Sequence, residues 1–332
     1  MTDNIQIQKQ YRTAGWVMLW ISIAVVLVRI VTGFINFPAG THTRGVFFSV
    51  TVQVFCLFLI PLVMYSVMLR KSPKRVFSLS FFKKTSPFVP LLSVLLGIVG
   101  LFVISGVYNA WMVLLGFLGY SVNQTGGGTP IPATWYNFAI SIVITAILPG
   151  FCEEFATRGV VLDAFNRTYR KVITIMLLGL AFGLMHQNIR QFMFTSLMGM
   201  FLVYLTVELK SIWPAIIIHT FNNAASMYIN YANKGLALPL GNFVRNAESN
   251  IFSNPPLLAA SYLGAVAVFF ALTFVIIKLG KRRLKLRNNN ATTHNETSAE
   301  RFKPSLRDNL AFIGALIITT AATIYTFASG LR

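Results

Sequence analysis

Long apolar runs dominate this chain and limit the folds that it can adopt. A helix needs about 20 mostly apolar residues to cross the hydrocarbon core of a bilayer, and eight or nine such runs occur in the 332 residues. Charged residues make up only 11% of the chain, whereas a soluble domain usually carries about 25%. We therefore predict an all-α polytopic membrane protein with about eight to nine transmembrane helices.

The turn-forming residues between the apolar runs delimit nine spans. These lie at roughly 13–35, 46–69, 87–118, 135–165, 172–186, 192–207, 212–231, 257–279 and 309–329. The third span is expected to be tilted or broken near 106–109. We divide the chain into an N-terminal part (1–134, about three helices and a basic loop at 70–84), a central part (135–232) and a C-terminal part (233–332, with a basic polar loop at 281–308).

The net charge of +19 reflects basic loops that set the orientation of the chain in the membrane and contact lipid, rather than nucleic acid binding. Lysines and arginines cluster in short loops beside apolar runs, which is typical of cytoplasmic loops and of contacts with anionic lipid. No zinc-finger spacing or basic zipper occurs, and two isolated cysteines, Cys56 and Cys152, form no disulfide framework. Because two spans precede the basic loop at 70–84, we predict a cytoplasmic N-terminus.

Three polar groups stand out on the fourth to seventh spans, and they contain the candidate catalytic residues. The first is Glu153-Glu154 with Arg158, in which Glu154 and Arg158 are four residues apart and can pair on one helix face. Glu153 is turned about 100° away and is free to face a cavity. The second group ends in His186, four residues after Phe182. The third pairs His219 with Asn223.

Each group alone has a structural explanation. A Glu-Glu pair at a helix end is usually interfacial, an arginine four residues later is a common salt-bridge partner, and an isolated intramembrane histidine is often a strut between helices. Together the groups favour a functional site over a purely structural role, because a charge at the bilayer centre costs roughly 2.5–3.5 kcal/mol on insertion scales. Ionisable residues retained inside a membrane are by default a functional hypothesis.

The ordered set Glu-Glu-x-x-x-Arg, Phe-x-x-x-His and His-x-x-x-Asn resembles the motifs of the CAAX protease and bacteriocin-processing family of intramembrane proteases, also called Abi. This family includes CAAX prenyl endopeptidases and lysostaphin-resistance-like proteins. The resemblance covers residues 146–223. It implies a helix bundle around a polar intramembrane cavity that is open to the membrane and the cytosol.

The resemblance also implies roles for six residues. Glu153, assisted by His186, would activate a water molecule that attacks a peptide carbonyl, and His219 and Asn223 would stabilise the oxyanion. Glu154, held by Arg158, would orient the site. Whether a metal takes part stays open: Glu153, His186 and His219 could bind zinc, but their spacing is not the His-Glu-x-x-His of soluble metalloproteases.

We therefore expect an intramembrane endopeptidase that acts on a peptide or on a membrane-attached protein. Analogy with the family suggests processing of bacteriocins or signalling peptides, or self-immunity, in a bacterial plasma membrane. Two alternatives remain. A non-catalytic membrane scaffold or immunity protein would use the polar residues for helix packing. A proton-coupled transporter would use them as a relay, although the internal repeat common in transporters is not found. The oligomeric state is open.

Overall fold

The computed structural model of the chain describes residues 2–74, 76, 85–121, 131–289 and 302–331. Within these ranges the chain is almost entirely helical and contains no β-strand. The helices are α1 (Thr2–Phe34), α2 (Thr43–Met68), α3 (Phe88–Phe117), α4 (Trp135–Thr168), α5 (Lys171–Met185), α6 (Ile189–Leu209), α7 (Trp213–Asn233), α8 (Gly241–Ser253), α9 (Pro255–Asn289) and α10 (Leu306–Ala328).

Each of the nine predicted spans coincides with a helix, and the all-α polytopic membrane fold is confirmed. Seven helices of the described ranges are long and apolar enough to cross a membrane, namely α1, α2, α3, α4, α6, α9 and α10. The fifth helix, α5, is apolar but has only 15 residues. The seventh, α7, has 21 residues, but polar side chains such as His219 and Asn222 interrupt its apolar surface. The predicted number of eight to nine spans is therefore approximate.

Two predictions, for the third span and for the loop at 281–308, need correction, and one further helix was not predicted. The third span is not broken near 106–109, because α3 is one continuous helix of 30 residues. The long connection after the seventh span contains a further helix, α8. The basic segment that begins at Lys281 continues α9 as far as Asn289, so the loop predicted at 281–308 starts as helix. Residues 290–301 of that loop and most of the loop at 70–84 lie outside the described residues.

Local sequence explains where several helices begin. Thr134 accepts a hydrogen bond from the backbone N–H of Asn137 at 3.2 Å at the start of α4, and Asn188 accepts one from Arg190 at 3.0 Å at the start of α6. Ser305 and Asp308 form a reciprocal capping box at the start of α10. Such side-chain oxygens satisfy backbone N–H groups that have no partner within the helix.

Ends of six helices meet at one face of the bundle. Glu208, at the end of α6, forms ion pairs with Lys171 at the start of α5 and with Lys281 in α9. On the same side, Asp308 at the start of α10 accepts a hydrogen bond from Gln8 of α1 at 2.9 Å, and the hydroxyl of Tyr11 in α1 lies 2.8 Å from that of Tyr169, which joins α4 to α5. The N-terminal ends of α1, α5 and α10 therefore lie on the same side as the C-terminal ends of α4 and α6.

Helix α4 is irregular around the central motif. It is π-helical over Val143–Ile147 and again over Phe155–Val161, and Glu153-Glu154 lies between these stretches. Helix α2, which packs against this part of α4, is π-helical over Thr51–Leu59. Short π-helical insertions change the direction of side chains and are frequent at functional sites. The irregular stretches of both helices thus flank the candidate site.

Glycines bring the surrounding helices close together. A Cβ atom at Gly150 of α4 would lie 2.0 Å from Oγ1 of Thr220 in α7, and one at Gly183 of α5 would lie 1.9 Å from Oγ of Ser196 in α6. Small residues at helix contacts allow the close backbone approach that drives helix association in membranes. The four helices that carry the candidate residues and line the site are therefore tightly packed.

Candidate active site

A cavity of about 440 Å³ lies between α2, α3, α4, α5, α6 and α7. Four of the six predicted site residues line it, namely Glu153, His186, His219 and Asn223. The other two, Glu154 and Arg158, lie behind its wall with fully buried side chains. The chain thus brings polar groups from three helices to one interior space, although these groups are far apart in sequence.

The two adjacent glutamates have different partners. Oε1 of Glu153 accepts a hydrogen bond from Nε2 of Gln53 at 2.8 Å. Oε2 of Glu153 lies 3.9 Å from Nε2 of His186 and has no hydrogen-bond partner among the described residues. Glu154 points the other way and is bound to α7. The 100° turn between neighbouring residues of a helix accounts for this divergence.

A backbone contact at the end of α5 fixes the orientation of the His186 ring. Nδ1 of His186 lies 2.9 Å from the carbonyl oxygen of Phe182, one turn earlier. Because a carbonyl only accepts hydrogen bonds, Nδ1 must donate, and the neutral ring then carries no proton on Nε2. The Nε2 lone pair therefore faces the free Oε2 of Glu153.

Glu154 is the centre of a buried network that joins α4 to α7. Its Oε1 accepts a hydrogen bond from Nη1 of Arg158 at 2.9 Å and from Nδ1 of His219 at 2.9 Å. Arg158 also donates to Oγ1 of Thr157 at 2.8 Å and, through Nη2, to the carbonyl of Gly199 in α6 at 3.1 Å. Further hydrogen bonds help to compensate a buried ion pair for lost hydration. Here they do so in part, because Oε2 of Glu154 and Nε of Arg158 are buried without a partner among the described residues.

The aromatic ring of Phe182 packs against three of the charged or ionisable groups. The Arg158 guanidinium lies 4.2 Å from the centre of the ring, in a cation–π contact. The ring also meets His186 and His219 approximately edge to face, with centroid separations of 5.0 and 6.1 Å. Phe182 is therefore part of the cavity wall as well as the first residue of the second motif.

Two asparagines of α7 lie beside His219 at the cavity. Nδ2 of Asn223 donates to the carbonyl of Thr145 in α4 at 3.0 Å, and Nδ2 of Asn222 donates to the carbonyl of Gly97 in α3 at 3.2 Å. An amide nitrogen has two hydrogens, so each side chain keeps one further donor. Both asparagines line the cavity, although the motif pointed only to Asn223.

Two further residues at the site were not predicted from the sequence. Gln53 contacts Glu153 directly, and it is a polar amide within the otherwise apolar run of α2. Arg29 lies in the apolar run of α1 and donates to the carbonyls of His186 at 2.6 Å and Gln187 at 3.3 Å. The signal for both was a polar side chain in an apolar run.

The proposed zinc ligands Glu153, His186 and His219 do not form a metal-binding arrangement. In the described residues no group of three His, Cys, Asp or Glu side chains converges as such a set. Gln53 occupies Oε1 of Glu153 and Glu154 occupies Nδ1 of His219, so Oε2 and Nε2 would be the ligating atoms of these two residues. The distance of 3.9 Å between Glu153 and His186 also exceeds what two zinc bonds of about 2.0–2.2 Å would give in a tetrahedral site.

Comparison with known proteins yields one family match. Residues 135–225 match the family model described as "Rce1-like: Type II CAAX prenyl endopeptidase Rce1-like". Neither the curated proteins nor the solved structures give a match. The matched segment contains all three motifs. It comprises α4, α5 and α6 and the first part of α7, and it contains all six candidate residues. The family resemblance is thus confirmed over this segment, since residues 135–225 of this multi-pass membrane protein match the Rce1-like model.

Proposed function

We propose that this protein is an intramembrane endopeptidase that hydrolyses a peptide bond with a water molecule activated by Glu153 and His186. One observation supports this proposal most. Two hydrogen-bond acceptors, Oε2 of Glu153 and Nε2 of His186, face each other at 3.9 Å, and no side chain of the described residues donates to Oε2. A water molecule has two O–H groups and can donate one to each acceptor, because normal hydrogen bonds of about 2.8 Å span such a gap.

Hydrolysis in this arrangement proceeds in two steps. As the water oxygen attacks the scissile carbonyl, one proton passes to Glu153, and the carbonyl electrons move onto the oxygen. When the tetrahedral intermediate collapses, the C–N bond breaks and the same proton passes to the leaving nitrogen, so the products are a carboxylic acid and an amine. The acid then loses its remaining water-derived proton to the solvent and becomes a carboxylate. General acid–base catalysis of this kind contributes about 10²–10⁴-fold to a rate.

His219 and Asn223 supply the donors for the oxyanion in this proposal. Nδ1 of His219 already donates to Glu154, so its Nε2 donates only when the ring is protonated. The Glu154 carboxylate then lies between two cations, His219 and Arg158. Two carboxylates, one guanidinium and one imidazolium leave the site without net charge, which suits a low-dielectric environment.

The substrate is a peptide or the tail of a membrane-attached protein. Irregular backbone is tolerated at membrane depth where it lines a hydrated cavity, and a cavity of about 440 Å³ accommodates a short extended segment. Basic loops favour a bacterial plasma membrane with a cytoplasmic N-terminus. Processing of a bacteriocin or signalling peptide, or self-immunity, is the role that we propose within that membrane.

Comparison of wild type with Glu153→Gln tests this function. The membrane peptidomes of cells expressing either form identify peptides whose cleavage depends on Glu153. The purified proteins are then assayed in detergent micelles with these peptides. We expect Glu153→Gln and His186→Ala to lower turnover by about 10²–10⁴-fold. Glu248→Gln in α8, outside the site, is the matched control and should keep full activity. Identical peptidomes and equal turnover would overturn the proposal in favour of a scaffold.

A further inference from the structure

Gln53 lies where it can control the orientation of the candidate base. Its side chain is buried, and its surroundings in α2 are apolar, from Val46 to Ile60 except for a few small hydroxyl residues. A polar residue is expensive inside a membrane and usually has a specific partner. In this structure that partner is the carboxylate of Glu153, 100 positions away in the sequence.

The chemistry of the two groups determines how they face each other. An ionised carboxylate accepts hydrogen bonds and cannot donate them, so the amide nitrogen of Gln53 must be the atom that points to Oε1 of Glu153. The distance of 2.8 Å is that of a strong, charge-assisted bond. No other side chain of the described residues is hydrogen-bonded to this carboxylate; His186 is its neighbour at 3.9 Å.

We propose that Gln53 is a positioning residue for the hydrolysis carried out at Glu153. A glutamate side chain has three rotatable bonds, and the last one is only weakly restricted. By holding Oε1, Gln53 keeps Oε2 directed at Nε2 of His186. As a neutral donor it does so without cancelling the charge that makes Glu153 a base. An arginine or a lysine at position 53 would form an ion pair and weaken that base.

A purely structural role is the competing explanation, because polar residues also join membrane helices. The two roles differ in what they change. A strut between α2 and α4 affects the stability of the fold, but not the turnover of folded molecules or its dependence on pH. A positioning residue affects turnover and the pH profile while substrate affinity stays the same.

Two isosteric substitutions separate these roles. Gln53→Met removes the donor, and misplacement of a catalytic group by about 1 Å costs roughly 100-fold in rate; we expect kcat to fall by about 10–100-fold with KM within about twofold. Gln53→Glu introduces a carboxyl that donates to Glu153 only when protonated, so the activity maximum should move to lower pH. Gln10→Met, at a buried glutamine of α1 outside the cavity, is the matched control.

The assay uses the peptides whose cleavage depends on Glu153, in dodecyl maltoside micelles, with thermal unfolding measured on every variant. If Gln53→Met has the kcat and pH profile of the wild type, the positioning role is wrong. The inference rests on the proposed function, yet it can fail separately. If Glu153→Gln cleaves as well as wild type, the proposed function fails; if only Gln53→Met does, the inference alone fails.

Dicyclohexylcarbodiimide gives a measurement that does not depend on cleavage. This reagent modifies protonated carboxyl groups in apolar surroundings, and mass spectrometry locates the product. Loss of the Gln53 donor disfavours the ionised form of Glu153, so labelling at a fixed pH should be about tenfold faster in Gln53→Met, the effect of one hydrogen bond to a charged group. Equal labelling of Glu153 in wild type and Gln53→Met would overturn the inference even if no peptide were cleaved.

Discussion

The buried pair of Glu154 and Arg158 makes a quantitative prediction about stability. The side chains of both residues are fully buried. Arg158→Met removes the cation and leaves the Glu154 carboxylate without this partner inside the bundle. Removal of one partner of a buried pair costs about 3–5 kcal/mol. We expect the lower end, about 3 kcal/mol, because His219 still donates to the same oxygen at 2.9 Å and lessens the loss of the pair.

The same helix contains a matched control. Asp163 and Arg167 form an ion pair with the same i, i+4 spacing at 3.1 Å, but their side chains are 22% and 48% exposed. Exposed helix pairs contribute about 0.3–0.5 kcal/mol, so Arg167→Met should have little effect. The free energy of unfolding is measured by titration with dodecyl sulfate in mixed micelles. The reasoning is refuted if the two substitutions destabilise equally, or if adding Glu154→Gln to Arg158→Met does not recover about 1 kcal/mol or more.

Three further predictions concern packing, the histidine and metals. Gly150→Ala should destabilise by about 1–3 kcal/mol because its Cβ would lie 2.0 Å from Thr220, whereas Gly264→Ala in α9, with nothing within 4 Å, should be neutral in thermal unfolding. Arg29→Met should lower turnover with little change in unfolding temperature, since it releases the carbonyl of His186. Peptide cleavage should persist in the presence of EDTA or phenanthroline, since the three proposed ligands do not converge.

Sequence spacing predicted those features that depend on a single helix. The four-residue separation of Glu154 and Arg158 placed them on one face, and the structure pairs them. The 100° offset of Glu153 directed it to the cavity. Such predictions succeed because side-chain direction within a helix follows from its 3.6-residue period. The second π-helical stretch of α4 begins just after Glu154 and includes Arg158, yet the two side chains remain paired at 2.9 Å.

Contacts between helices could not be predicted in the same way. His186 and His219 line one cavity, but their positions along the sequence do not show that they meet there. A residue count along one helix axis does not fix how neighbouring helices are displaced or tilted. Gln53 was missed for the same reason, because no local spacing connects it with Glu153. The indication that the sequence offers for Gln53 is a polar residue within an apolar run.

The surroundings of the two glutamates explain why Glu153 is the better candidate for the base. Glu154 has two partners that carry or can carry positive charge, Arg158 and His219, and its role as a bound anion needs the charge to stay in place. Glu153 has one neutral donor, Gln53, and a free oxygen directed at His186. A base must be able to accept a proton, and only Glu153 has an oxygen on the cavity side that no cation holds. Neighbouring carboxylates placed in contrasting environments commonly divide the roles of base and electrostatic support, and the network on α4 and α7 divides this pair in that way.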